Sequence, residues 1–412
     1  MKMNKRIMFL CVSVLLVGLV MAPIASATTL ELLWWESGEK LEWLQSLVDR
    51  YQEENPEIKI NLETVPWDEY WQKMPVLMAA GRAPDVMFMV SGNVQRYAEL
   101  GGLVDMSPYL TDEYLADLYE PHLEMVTFEG SKIAALPFTL TAPTLFYNKD
   151  AAAKAGINPP QTLEDAWTWD EFKDAAIKMK EAAGTPYGVH IVTRDFWRLP
   201  FLYQNGASVL NEDKTASAIN TPEAAEALEF LRSLHISGVA SSPVDPMAGD
   251  MFIAGLIPMV VGAHWDMGMY QTAIESFEYG VTFMPRQKEH AVALGGDFLA
   301  AYSQTQYPEE SVKFIQWLSS PDISQEYVVN NYYLAPHKSA QLQYPADQDL
   351  MELVVQQASV GSSALTSQRA IPEWDVFLST MMAEFDLVLM GEKEPSAALE
   401  VIETAINEAL AR

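Results

Sequence analysis

The side chains with the clearest chemical character in this chain are its tryptophans, of which there are eleven. Six of them, Trp34, Trp35, Trp67, Trp197, Trp265 and Trp374, fall outside the helical spacing of a core stripe and stand beside short polar or charged residues. An indole face matches the flat C–H face of a pyranose ring. Carboxylate, hydroxyl, amide and guanidinium groups match its rim of hydroxyls. Each ring alone would be equally at home in a core, but a core does not account for the polar neighbours of all six.

Other chemistries find little support. The sequence contains no Gly-x-Ser-x-Gly elbow, no His-Glu-x-x-His pair, no phosphate-binding Gly-x-x-x-x-Gly-Lys and no dinucleotide glycine pattern. Its six histidines, His122, His190, His235, His264, His290 and His337, are scattered, with no two at ligand spacing. No metal and no cofactor is therefore expected. Among 56 acidic residues two could still meet in space at the separation a glycosidase needs. A secreted glycoside hydrolase or a rigid carbohydrate-binding protein is the alternative reading.

The elements that must position these residues begin after an export signal. Lys2, Lys5 and Arg6 precede an apolar run, Ile7–Val20, and Ala25-Ser26-Ala27 supplies the small-x-small pattern of a cleavage site. Residues 1–27 are expected to leave as a signal peptide, cut after Ala27. The only cysteine, Cys11, lies inside that run, so neither a disulfide nor a lipid anchor at the junction is expected. No later apolar run reaches the roughly 18 residues that a membrane span requires. Lys and Arg total 26 against the 56 acids, a net charge of −30. Such a surface repels phosphate backbones, so nucleic acid is not an expected partner.

From Thr29 the pattern alternates strand and helix. Thr29–Trp35, Ile58–Thr64 and Asp85–Val90 read as strands. Helices are expected after Ser37, over Trp67–Ala80 with a kink at Pro75, and over Asn93–Leu100 before Gly101-Gly102. Short links between such elements imply a parallel sheet covered by helices. Ligands of such sheets sit beyond the carboxyl ends of the strands, where this chain carries Trp35, Glu36 and Ser37, then Trp67, then Ser91 and Asn93. Asp85 begins its strand and reads as structural. Thr168-x-x-Glu171 is a capping box, and Thr221-Pro222 and Ser320-Pro321 open further helices. More strands are expected at Thr144–Asn148, Gly280–Met284 and Ala291–Tyr302, and a helix over Ser396–Leu410.

The segment Pro137–Gly156, with its core Leu145-Phe146-Tyr147-Asn148-Lys149-Asp150, resembles the signature of the bacterial extracellular solute-binding proteins of sugar importers, the maltose-binding protein group. Thr144 and Ala152 depart from its usual smaller and larger residues. Four more blocks resemble the group in the same order: Ala83-Pro84-Asp85-Val86, Pro159–Phe172, Gly262–Trp265, and Gly295-Gly296-Asp297 with Pro308–Phe314.

The resemblance implies two α/β lobes, each a mainly parallel sheet flanked by helices, with a ligand cleft between them. The lobes would be 28–138 plus 291–340 and 139–290 plus 341–412, joined near Pro137–Thr141, Arg286–Val292 and Pro336–Gln341. It also implies a monomeric periplasmic protein that closes on a neutral di- or oligosaccharide and delivers it to a membrane permease, without catalysis. Trp265 resembles the group's pocket aromatic. Thr141 and Asp297 adjoin the crossings, Arg194, Asp195 and Trp197 share one loop of the second lobe, and Trp374 completes the expected ligand contacts. Arg194 and Asp195 could instead pair with each other at the surface.

Overall fold

A computed structural model describes residues 28–244 and 248–411. The expected signal peptide lies outside the described residues.

The first sheet has strand order β2-β1-β3-β11-β6. β1 (Thr28–Trp34) lies between β2 (Ile58–Thr64) and β3 (Val86–Val90), and these three are parallel. Two short strands, β4 (Thr127–Phe128) and β5 (Lys132–Ile133), form a separate hairpin. β6 (Leu136–Pro137) then joins the first sheet, and the chain passes into a second sheet of order β10-β7-β9-β8. Its members are β7 (Pro143–Asn148), β8 (Val189–Ile191), β9 (Met259–Ala263) and β10 (Tyr279–Thr282). β11 (Asp297–Ala301) returns to the first sheet.

The sheets are mixed where the sequence suggests mainly parallel ones. The cause is the path of the chain. β3 ends at Val90 and β11 starts opposite it, Asp297 pairing with Val90, so a strand arriving from the other sheet must run antiparallel to one that stops there. β7 likewise begins at Pro143, paired with Ala263 at the end of β9, and is antiparallel to both of its neighbours. Within the second sheet only β8 and β9 are parallel.

Each sheet has its own core. Leu32, Phe88, Leu136, Phe298, Phe314 and Tyr327 belong to the first, and Phe146, Phe172, Val260, Leu228, Phe385 and Ile402 to the second. Trp34 is fully buried in the first core, stacked on Trp35 at 4.9 Å and edge-on to Phe138 at 6.0 Å. It is a packing residue and not a cleft residue. Asp85 is structural as expected: its carboxylate accepts from the Glu31 N–H at 2.8 Å and from the Thr305 hydroxyl, tying β1 to the loop after β11.

Three stretches of backbone lie side by side between the cores, at Leu140–Thr141, Gly295 and Leu334. The N–H groups of Thr141 and Gly295 each donate to the other's carbonyl at 2.9 Å. Leu140 exchanges bonds with Leu334 at 2.7 and 3.1 Å. Ala291–Leu294 pack in the second core, so the return passage falls at Gly295–Asp297 and not within Arg286–Val292. Beyond Leu334 the chain stays on the first core, His337 and Ser339 bonding Asp117 and Gln341 bonding Gln325, and Tyr344 packs in the second core, so the third crossing falls at the end of the expected Pro336–Gln341. A Cβ at Gly296 would lie 2.3 Å from the Thr139 carbonyl oxygen, which is why the passages require glycine there.

The capping box of the helix Trp169–Ala183 forms in full. Glu171 accepts from the Thr168 N–H at 2.8 Å, and the Thr168 hydroxyl accepts from the Glu171 N–H at 3.3 Å. Thr168→Ala should lower unfolding free energy by about 1 kcal/mol, read by urea denaturation; an unaltered midpoint would contradict the cap's role.

Candidate functional site

A cleft of about 1020 Å³ opens between the two sheets. Its first wall is built by the end of β1 and the helix Trp67–Ala79. Trp67 and Trp71 are four residues apart and so share a helix face. They meet edge-to-face at 5.4 Å, and Trp35 meets Trp67 at 5.5 Å. Tyr70 locks this group from behind by donating to the Phe88 carbonyl at 2.7 Å. The wall is therefore a row of three indoles, Trp35, Trp67 and Trp71, packed edge to face and lining the cleft.

The opposite wall comes from three elements of the second core. Trp197, on the helix Asp195–Gln204, donates its indole N–H to the Gly262 carbonyl at 2.6 Å. Trp265, following β9, lies 6.1 Å from Trp197 and is nearly parallel to Tyr333 of the first core at 6.2 Å. Trp374 starts the helix Trp374–Leu389, which also presents Asp375, Leu378 and Met382 to the cleft. Trp374 is only 2% exposed, so its contribution is an edge.

The polar groups are held by partners. Asp195 accepts from Arg369 Nε at 2.8 Å, and the Arg369 guanidinium lies 5.2 Å over the Phe196 ring. Asp195 is thus paired with Arg369 and not with its neighbour Arg194, which is exposed. Arg96 of the first wall faces Asp375 of the second across 3.9 Å. Burial pushes the Asp375 carboxyl above its usual range, an effect that Arg96 opposes. Asp297 sits on the floor with the Thr139 hydroxyl donating to its Oδ2 at 2.8 Å. Burial drives its pKa up to about 7, the Glu36 charge pushing the same way and Thr139 and Lys40 opposing.

The structure brings Trp35, Trp67, Asn93, Thr141, Arg194, Asp195, Trp197, Trp265, Asp297 and Trp374 to one cleft. It does not bring Glu36 or Ser37 to it, and the Ser91 side chain lies outside the described residues. β1 stops at Trp34, and Glu36 turns away to accept from the Tyr333 hydroxyl at 3.2 Å. Ser37 is exposed at the start of the helix Gly38–Glu54, and Ser91 opens the helix Ser91–Glu99. Sequence reasoning missed Trp71, Tyr97, Tyr333 and Arg369. The four-residue spacing of Trp67 and Trp71 was a usable signal. Arg369 had none, because its partner is 174 residues away.

The histidines divide by burial. His122, His235 and His264 are each lowered to about 4 by desolvation, so they are neutral at pH 7. No group of acidic, histidine or cysteine side chains among the described residues could hold a metal ion.

Residues 35–325 match the family model described as bacterial extracellular solute-binding protein. The chain belongs to that family. Among solved structures, an ABC substrate-binding protein from Listeria monocytogenes in complex with cycloalternan is similar, at 25% identity and a TM-score of 0.83, covering 93% of this chain and 99% of that one. A receptor of Streptomyces glaucescens, solved unliganded and with acarbose, shares the fold at 21% identity and a TM-score of 0.82, with coverages of 93% and 99%. The diacetylchitobiose-binding protein of Streptomyces coelicolor is 24% identical, over 90% of this chain and 87% of its own length.

Arg369→Leu leaves the Asp195 carboxylate without its cation at a site where the two side chains are only 14% and 12% exposed. The loss should be about 3 kcal/mol of unfolding free energy, measured in urea. A variant as stable as the parent would show that the pair contributes nothing.

Proposed function

We propose that this solute-binding protein captures a neutral oligosaccharide and delivers it to the membrane permease of an ABC importer. The observation that carries the reading is the pair of indole walls, Trp35, Trp67 and Trp71 facing Trp197 and Trp265, with charged and amide groups set between them. A pyranose ring placed there stacks its C–H faces on the indoles and offers its hydroxyls to Asn93, Thr141 and the floor. The cleft volume of about 1020 Å³ is at the top of the range for small-ligand pockets, about 300–1,000 Å³. That favours several rings over one.

The sugar ligands bound by the Listeria and Streptomyces relatives support the same class. Family membership favours capture over a secreted hydrolase, which would need an acid–base pair of carboxylates. Asp195 is a poor candidate for the acid because its carboxylate is engaged by Arg369 at 2.8 Å. On this reading the chain is exported to the periplasm after cleavage at Ala27, works as a monomer and carries out no catalysis.

Titration with maltose, maltotriose, cellobiose and diacetylchitobiose, followed by thermal unfolding, tests the proposal. A true ligand at a hundredfold excess over its Kd adds about 2.7 kcal/mol of stability, and chromatography should show the sugar unchanged. Appearance of shorter sugars would contradict the reading. Trp265→Ala should weaken binding of that ligand by about 1–3 kcal/mol, measured by calorimetry. Unchanged affinity in a folded variant would remove Trp265 from the site.

A further inference from the structure

Trp265 is half-buried and packs against both cores. Its place follows first from the residue before it. His264 comes directly after β9 and is fully buried. Its Nε2 accepts from the Ala142 N–H at 3.3 Å, so in the neutral ring Nδ1 carries the proton and donates it to the Tyr332 carbonyl. Ala142 follows Thr141 and Tyr332 precedes Tyr333, so both partners adjoin the backbone that lies between the cores. The imidazole thus fixes the main chain at Trp265. The two side-chain torsions of the indole are left for its ring neighbours to set.

On the second wall those neighbours are Phe196 at 6.2 Å, tilted by 38°, and Trp197 at 6.1 Å, tilted by 65°. From the first core comes Tyr333, whose ring lies within 21° of parallel to the indole at 6.2 Å. That falls inside the range of about 4.5–7 Å over which aromatic pairs attract. Tyr333 is itself held from the first core. Tyr327 lies within 17° of parallel to it at 6.0 Å, and Lys40 Nζ stands 4.8 Å from its ring centroid. Lys40 also donates to the Tyr333 hydroxyl at 3.3 Å, and that hydroxyl donates to Glu36 at 3.2 Å. Tyr333 therefore lines the cleft with its hydroxyl committed and only 5% of its surface exposed. It has little to offer a sugar directly, whereas the half-buried indole beside it has more.

We propose that Tyr333 is a positioning residue: its ring, anchored in the first core, sets the orientation in which Trp265 of the second wall meets the sugar. The role belongs to the ring, because the hydroxyl is spent on Lys40 and Glu36 while the ring stacks on the indole. A contact made by one wall is thereby aligned by the core of the other. This rests on the sugar-capture reading with Trp265 as a ligand contact, and adds to it the first-core residue on which that contact depends.

The experiment is a double-mutant cycle by calorimetry on the full protein, using the tightest of maltose, maltotriose, cellobiose and diacetylchitobiose. Tyr333→Leu should raise Kd about three- to tenfold, the span of one aromatic pair. Tyr333→Phe, which keeps the ring, should recover most of that affinity. In a Trp265→Ala background, Tyr333→Leu should change Kd by less than about twofold, because no indole is left to orient. Tyr333→Met, whose unbranched side chain adapts to irregular space, carries the same expectations as the Leu variant if that variant does not fold.

A Tyr333→Leu protein that binds like the parent overturns the proposal. So does a Leu effect of equal size with and without Trp265, which makes Tyr333 a direct contact or a general support of the fold. A Phe variant as weak as the Leu variant overturns it too, since the hydroxyl and not the ring then acts. Those results leave sugar capture standing. Trp265→Ala binding like the parent removes Trp265 from the site, and the positioning role falls with it. Absence of binding by all four sugars counts against sugar capture itself.

Discussion

Three passages of backbone lie side by side between the cores, and the rest of the site is placed relative to them. Leu140 and Thr141 form the middle passage, hydrogen-bonded to Gly295 on one side and Leu334 on the other. The close approach depends on residues without side chains, since a Cβ at Gly295 would fall 2.8 Å from the Thr141 hydroxyl. Strands that end at this boundary, β3 and β9, deliver their following residues to the cleft. Strands that begin there, β7 and β11, must run antiparallel to them. The mixed strand sense and the placing of Asp297 and Trp265 at the cleft thus have one cause. Narrow passages joined by few hydrogen bonds are also where hinge rotation is absorbed, which fits the proposed capture of sugar between the walls.

Charge is managed in the cleft by local pairing against a strongly acidic background. The chain carries a net charge of −30, yet two of the cleft's three arginines face carboxylates, Arg369 on Asp195 and Arg96 on Asp375, while Arg194 is exposed. Pairing leaves little net field for an ionic ligand and leaves aromatic faces as the largest attractive surface. Among the described residues Asp297 is in no ion pair: Thr139 donates to it, and burial pushes its pKa up to about 7 with Lys40 opposing. A neutral ligand suits both arrangements.

Much of this was legible in the sequence, for reasons specific to each element. Alternating Ile58, Ile60 and Leu62 marked β2, and Thr168 with Glu171 marked a helix start, because local periodicity and capping chemistry act over a few residues. Residues after strand ends were a sound guide to Trp35, Trp67 and Asn93. The same rule failed for Glu36 and Ser37, because the direction of a side chain after a strand is set by tertiary partners, here Tyr333 and Lys40. Trp34 and Trp35 are adjacent, chemically identical and stacked on one another, yet Trp34 is fully buried beneath while Trp35 lines the cleft. Arg369 and Tyr333 came to the cleft through contacts far along the chain that no local pattern encodes.

The central claim is that one ligand engages both walls and draws them together. Small-angle X-ray scattering of the protein, with and without a saturating sugar identified by calorimetry, tests it most directly. The account predicts a smaller radius of gyration in the liganded state, because contacts on Trp265 and Trp67 are made together only when the walls approach. A radius unchanged at saturation would contradict closure and leave a rigid cleft in its place.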